Sequence, residues 1–217
     1  MIKRIIFDVD DTLIPWRKEY IGVFGKVLDE LNIDYTNEDL EEIDRVVDTY
    51  EEYYDMYDKQ NMVNLINDKC KIKVPNNFTN IYIKHLCNCY NKEDKEVVSH
   101  TLDYLSKKYE LVILSNWFSY SQIKRLEATE IDKYFKEMYF TDTIKNKPNK
   151  EAFDTARGPY KADECIMIGD NYKVDIEGAI SAGIKAILID PKDKYEYDNK
   201  IKNINELEEL LWNFMMN

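Results

Sequence analysis

Two kinds of apolar pattern divide this chain. Short unbroken apolar runs stand at Ile5-Ile6-Phe7, Leu111-Val112-Ile113-Leu114, Met138-Tyr139-Phe140, Cys165-Ile166-Met167-Ile168 and Ala186-Ile187-Leu188-Ile189. Runs of this length between polar flanks are strands buried on both faces of a parallel sheet. The segments between them predict helices. One carries Val97, Val98, Leu102 and Leu105, and others run over Tyr120 to Leu126, Glu151 to Ala156 and Ile176 to Ala182. Strands alternating with helices in this way predict an α/β fold, a doubly wound parallel sheet.

The stretch after the first run has a different period. Ile21, Phe24, Leu28 and Leu31 mark one helical face, with Gly22 and Gly25 weakening it and Asn32 as a stop. Thr36-Asn37-Glu38-Asp39 resembles a capping box. From there Leu40, Ile43, Val47, Tyr50, Tyr54 and Tyr57 form an apolar stripe at steps of three and four. Ten acidic residues between Glu38 and Asp58 fall mostly on the opposite face, as a solvated surface or an acidic docking face. Lys71 to Asn77 reads as a loop, and a helix follows from about Phe78 to Tyr90. The predicted organisation is a core of residues 1–14 and 95–217, interrupted by a helical unit over 15–94, a size typical of a small domain.

Composition narrows the functional classes. The chain has 217 residues, 44% of them apolar, which suffices for a buried core, and 17 tyrosines suited to packed interfaces or pocket walls. Its net charge of −12 argues against a nucleic acid polymer or an anionic membrane as partner. A small anionic substrate stays open, because a metal and a few lysines reverse the potential locally. No apolar segment approaches the length of a membrane span, and Met1-Ile2-Lys3-Arg4 leads into a strand rather than a signal sequence. Cys70, Cys87, Cys89 and Cys165 lack zinc-type spacing and read as reduced thiols of a cytoplasmic protein. His85 and His100 have no partner at a ligand spacing.

Candidate chemistry stands at the strand ends, where open parallel sheets bind ligands. The first strand runs into Asp8-Val9-Asp10-Asp11-Thr12. Two carboxylates so close at a buried strand end are costly unless a cation neutralises them, and Mg²⁺ with oxygen ligands fits. The second strand ends in Ser115-Asn116. The third is followed by Lys145, Lys147 and Lys150, and the fourth by Gly169-Asp170-Asn171 with Asp175 beyond. Taken singly these are an acidic turn, a helix cap, a surface lysine and a turn residue. Together they place an acid pair, a hydroxyl, a cation and a second acid pair along one edge.

The set resembles the haloacid dehalogenase-like hydrolase superfamily along most of the chain. Asp8-Val9-Asp10-Asp11-Thr12 looks like its D-x-D-x-T motif, Ser115 like the second and Lys147-Pro148 like the third. Gly169 to Asp175 looks like the fourth, G-D-x₄-D, with Asp175-Ile176-Glu177-Gly178-Ala179 and Ala182-Gly183 also similar to the family pattern. The resemblance implies that Asp8 attacks phosphorus and that Asp10 serves as acid and base. It implies Mg²⁺ on Asp8, the backbone carbonyl of Asp10 and Asp170, with Asp175 in a direct or supporting place. Ser115 would bond a phosphoryl oxygen, Lys147 would offset the gathered charge, and Thr12 would orient the first motif, with Asn116 and Asn171 as helpers. Lys145 competes with Lys147 for the cationic role, and Arg157-Gly158-Pro159 breaks a helix that usually runs longer in the family.

Asp10 points to phosphate chemistry rather than dehalogenation, because only an alkoxide leaving group needs its proton. The opening Phe7 to Leu13 resembles the branch that contains pyrimidine 5′-nucleotidases, and the helical insert resembles the family's small α-helical cap. The resulting expectation is a phosphatase acting on a small phosphorylated metabolite, as monomer or homodimer. A phosphotransferase or sugar-phosphate mutase shares the same residues, and a binding module on a repurposed scaffold is the reading from another class. Trp16, Arg17 and Tyr20 after the first motif, and Trp117 after the second, would contact substrate or pack at the seam between cap and core.

Overall fold

In the computed structural model, which describes residues 1–16, 20–90 and 95–216, the five apolar runs become five parallel strands. They are β1 (Arg4–Phe7), β2 (Glu110–Ser115), β3 (Glu137–Phe140), β4 (Cys165–Gly169) and β5 (Lys185–Ile189). A two-residue strand, β6 (Lys200–Ile201), completes the order β3-β2-β1-β4-β5-β6. The first strand in sequence lies inside the sheet, with Ile5 level with Leu111 on one side and Ile166 on the other. The order reverses beside β1, so the ends of β1, β2 and β4 converge on one crevice.

Alternation along each strand sorts the core into two layers. Ile5, Phe7, Ile113, Ile166, Ile168 and Ile187 face one side, where α6 (Lys95–Ser106) contributes Leu102 and Leu105 and α10 (Leu207–Met216) contributes Leu207 and Leu211. Ile6, Val112, Leu114, Met167 and Leu188 face the other, against Ala152, Phe153 and Ala156 of α8 (Lys150–Arg157) and Ala179 of α9 (Gly178–Ser181). Helix α7 (Ser119–Ala128) adds Leu126 to the first layer.

Five helices between β1 and α6 form a third apolar cluster. These are α1 (Ile21–Glu30), α2 (Asn37–Asp48), α3 (Tyr50–Tyr53), α4 (Lys59–Lys69) and α5 (Phe78–Leu86). Phe24, Val27, Leu28, Ile43, Val47, Tyr50, Ile66, Phe78 and Tyr82 are buried in it, together with Trp117 and Phe118 from the end of β2. The capping box at Thr36 forms on both sides: Thr36 Oγ1 accepts from the Asp39 amide, and the Asp39 carboxylate accepts from the Thr36 amide at 2.8 Å. No helix among the described residues is long and apolar enough to cross a membrane.

The departures from expectation have local causes. The Leu40–Tyr57 stripe is not one helix: Tyr54 is extended (φ −137°), and Tyr57 folds back to stack on Tyr50 at 4.5 Å. The helix from Phe78 stops at Leu86 rather than Tyr90. The segment expected to start a helix at Ile176 instead makes a wide π-type turn over Tyr172–Glu177, because Asn171 caps the Val174 amide while Asp175 turns inward to the Asn171 amide. Strand β6 is too short, and α10 too far beyond the last motif, to have been read from the pattern. The break at Gly158 lies at the opposite end of the sheet from the motifs. Gly158 takes φ +58°, and a Cβ there would stand 2.8 Å from Nη1 of Arg4 at the start of β1. The packing it alters is therefore that of Arg4, not of the Lys147 loop.

Candidate active site

The first motif is built by a tight turn at the end of β1. The Asp8 amide still donates to Ile168 of β4, at 2.9 Å, so its side chain leaves from the sheet. Asp11 then takes φ +56°, a backbone region Asp tolerates better than most residues, and its Oδ1 accepts from the Trp16 amide at 3.2 Å. The third acid of the motif thus serves the turn, unlike Asp8 and Asp10.

Lys147 is the centre of the charge arrangement. It is 1% exposed, and its ammonium donates to Asp8 Oδ1 and to Asp175 Oδ1, each at 2.7 Å. Burial alone would lower its pKa, but the Asp175 and Asp8 carboxylates outweigh that and hold it charged above its ordinary value. Lys145, the competing cation, pairs instead with Glu151 at 2.9 Å. Burial raises the Asp8 pKa well above the usual carboxylate range; Lys147 opposes the shift, and the charges of Asp175, Asp10 and Asp170 add to it.

Asp8, Asp170 and Asp175 bring one carboxylate oxygen each to within 4.8 Å of one another. With all three ionised, three carboxylates against one ammonium leave two negative charges in a largely buried space. A divalent, oxygen-seeking cation such as Mg²⁺ fits both that charge and that donor set. Asp175 is already bonded on both oxygens, to Lys147 and to the Asn171 amide at 3.0 Å, which suits a supporting place. Gly169 makes this approach possible: a Cβ there would lie 2.3 Å from Asp175 Oδ2.

The Asp10 side chain is not in that carboxylate group. Its Oδ1 accepts from Arg125 Nη1 at 2.5 Å and its Oδ2 from Gln122 Nε2 at 2.6 Å, both on α7. Gln122 Nε2 also donates to Ser115 Oγ at 2.9 Å. With that lone pair engaged, the Ser115 hydroxyl can turn its hydrogen toward a phosphoryl oxygen. Gln122 and Arg125 were missed from sequence, although a polar pair three residues apart on the buried side of α7, beside Leu126, is a readable signal.

Asn116 forms a two-point clamp on the third motif, accepting from the Lys147 amide and donating to the Lys147 carbonyl, each at 2.8 Å. Its amide also donates to Glu51 of α3 at 2.9 Å, a third residue the sequence reading missed. Burial raises the Glu51 pKa, with the bonds from Tyr57 and Asn116 opposing. Tyr20 and Trp117 are buried in the cluster of the helical insert. Trp16 packs at its edge, 4.6 Å from the Tyr20 ring and 5.9 Å from that of Trp117. Thr12 is buried, and its hydroxyl has no partner among the described residues. Arg17 lies outside the described residues. Cys70, Cys87, Cys89 and Cys165 form no disulfide among the described residues; burial pushes the Cys70 and Cys165 thiols up to about 11, which makes them unreactive at neutral pH.

Comparison with known proteins agrees with this arrangement of a six-stranded parallel sheet with an acid pair, a hydroxyl, a lysine and a second acid pair at its strand ends. The model of the haloacid dehalogenase-like hydrolase family matches residues 5–189, and the chain belongs to that family. It is 32% identical over 126 residues to glyceraldehyde 3-phosphate phosphatase of Methanothermobacter thermautotrophicus, covering 52% of this chain and 56% of that protein. It is 31% identical over 108 residues to the pyrimidine 5′-nucleotidase YjjG of Escherichia coli, covering 46% and 48%. The chain thus spans about half the length of the curated relatives it matches. Among solved structures, the magnesium-bound hydrolase YfnB of Bacillus subtilis shares the fold with a TM-score of 0.77, at 21% identity over 97% of this chain and 98% of that one. The 2-haloacid dehalogenase of Pseudomonas syringae pv. Tomato DC3000 does so with a TM-score of 0.72, at 23% identity over 99% and 100%.

Proposed function

We propose that this protein is a Mg²⁺-dependent phosphatase that hydrolyses a small phosphomonoester, a nucleotide or sugar phosphate, through an aspartyl-phosphate on Asp8. The observation that carries the reading is the line Asp8–Lys147–Asp175 with Asp170 beside it, a strand-end carboxylate held against an ammonium. The two curated relatives described above are named for phosphomonoester hydrolysis, which supports the same chemistry.

In this mechanism an Asp8 oxygen attacks phosphorus, the new P–O bond forms as the ester P–O bond breaks, and Asp10 gives its proton to the departing oxygen. In the second half Asp10 takes a proton from water, which attacks the aspartyl-phosphate and releases inorganic phosphate and free Asp8. Lys147 neutralises charge shared by Asp8 and the phosphoryl oxygens, and Ser115 donates to one of those oxygens. Asp8, the backbone carbonyl of Asp10 and Asp170 would hold Mg²⁺, with Asp175 in support, and the ion would supply further charge stabilisation to the phosphoryl group. Asn116 keeps Lys147 in place through its peptide.

The helical insert, 15–94, acts as a cap domain over the core of 1–14 and 95–217. Contacts between the two support this: Tyr57 donates its amide to the Thr141 carbonyl and Asn146 its amide to the Asp55 carbonyl, both at 2.7 Å, and Glu51 meets Asn116. The cap excludes water and selects the leaving group, with Trp16 at its edge as the substrate-facing aromatic. The test is phosphate release from nucleoside monophosphates, sugar phosphates and an aryl phosphate, with Mg²⁺ and with chelator. Turnover that chelator abolishes is expected. Turnover that survives complete metal removal, or none on any ester from folded protein, contradicts the proposal.

A further inference from the structure

We infer that Arg125, with Gln122, is a positioning residue that sets the Asp10 carboxylate and couples it to the placement of the helical insert. The inference rests on the phosphatase reading and extends it to residues that touch neither metal nor substrate.

The argument starts from burial. Arg125 is 0% exposed, and a guanidinium taken out of water is destabilising unless its donors are used; Nη1 and Nε are used, while Nη2 has no hydrogen-bond partner among the described residues. Its partners come from three separate parts of the chain. Nη1 donates to Asp10 Oδ1 at 2.5 Å and to Gln122 Oε1 at 2.6 Å. Nε donates to the Cys89 carbonyl at 2.6 Å, and the guanidinium lies 4.6 Å from the centre of the Trp16 ring. Trp16 stands on the segment that leaves β1 for the insert, and Cys89 on the segment that returns from α5 toward α6. Both crossings between sheet and insert are therefore fastened to one side chain, and that side chain holds Asp10.

Gln122 completes the clamp. Because its amide nitrogen bonds both Asp10 Oδ2 and Ser115 Oγ, the carboxylate and the hydroxyl keep a fixed relation to each other. Both Asp10 oxygens are thus fixed by donors from one face of a helix anchored in the core. A shift of the insert that moves Trp16 or the Cys89 carbonyl acts on the same guanidinium, and so on Asp10. A purely space-filling Arg would need none of these matched partners. A rigidly placed proton donor gains most where the leaving oxygen needs the proton, as with an alkoxide, and least where it leaves as a stable phenolate.

That asymmetry supplies the test. Arg125→Met and Gln122→Met would be compared with the unaltered protein on an alkyl phosphate and on p-nitrophenyl phosphate, with kcat and KM resolved for each. Mg²⁺-induced thermal stabilisation would be recorded alongside. The expected result is a fall of about 10²-fold in kcat on the alkyl ester, against a fall of less than about tenfold on the aryl ester. KM should stay within about threefold, and the Mg²⁺ response should persist because Asp8, Asp170 and Asp175 are untouched. Equal losses on both esters, or a loss confined to KM, would overturn the inference and leave Arg125 a structural residue. If Arg125→Met does not fold, Gln122→Met alone decides, since it removes the donor to Asp10 Oδ2 without emptying a buried charge. Failure of the parent reading is seen separately: if the unaltered protein hydrolyses neither ester, the phosphatase proposal fails and this inference falls with it.

Discussion

Among single residues, Asp8 bears most of the proposed chemistry. Its buried carboxyl, raised well above the ordinary range by burial despite Lys147, is costly to ionise in the metal-free protein. The sign follows: this contribution to stability is fully present below the unfolded-state pKa and is lost as pH rises through the higher native one. Mg²⁺ held by Asp8, as proposed, would take the ionised form and so release a proton. The stabilisation by Mg²⁺ should therefore grow as pH rises in thermal melts, and a flat or reversed pH dependence would contradict this assignment. Gly169 gives a second prediction at this scale. In Gly169→Ala the new Cβ meets Asp175 Oδ2, which Lys147 and the Asn171 amide already hold in place. The substitution should abolish Mg²⁺-induced stabilisation while the protein still folds. An unchanged Mg²⁺ titration would show that Asp175 has room to move.

At the scale of elements, the two ends of the strands do different work. The carboxyl ends hold the site, whereas at the other end Arg4 is buried as a structural pin. It donates to the Ala156 carbonyl at 2.7 Å, pairs with Glu110 and with Glu137, and lies against the Tyr160 ring. Arg4→Met should cost about 1–3 kcal/mol in urea unfolding, because it removes the buried donor to the Ala156 carbonyl and to Glu110, while kcat/KM of the folded protein stays unchanged. On the insert, Thr36→Ala removes the cap of α2 and should cost about 1 kcal/mol in the same measurement. The capping box was legible because its chemistry is local, four residues in a row. The bend after Tyr53 was not, since the stripe of tyrosines continues through it and only the return of Tyr57 onto Tyr50 and Trp117 shows where the helix gives way. Likewise Asp8, Ser115, Lys147, Asp170 and Asp175 could be found from their places after apolar runs. Gln122, Arg125 and Glu51 were missed because they follow no apolar run, and the partners that give them meaning lie 112, 115 and 65 residues away.

For the whole molecule, topology explains why four dispersed motifs become one site. With β1 between β2 and β4, the residues after these three strands are neighbours, and the Asn116 clamp brings the Lys147 loop alongside them. The insert enters directly after the first motif, so the chain that leaves the site is the chain that builds the helical cluster. The most direct measurement is turnover of the best phosphomonoester by Asp8→Asn beside the unaltered protein, with circular dichroism confirming that both are folded. A loss of at least about 10³-fold in kcat, with no release of phosphate above background, is the predicted result for a nucleophilic carboxylate. Retention of full activity by folded Asp8→Asn would contradict the aspartyl-phosphate mechanism.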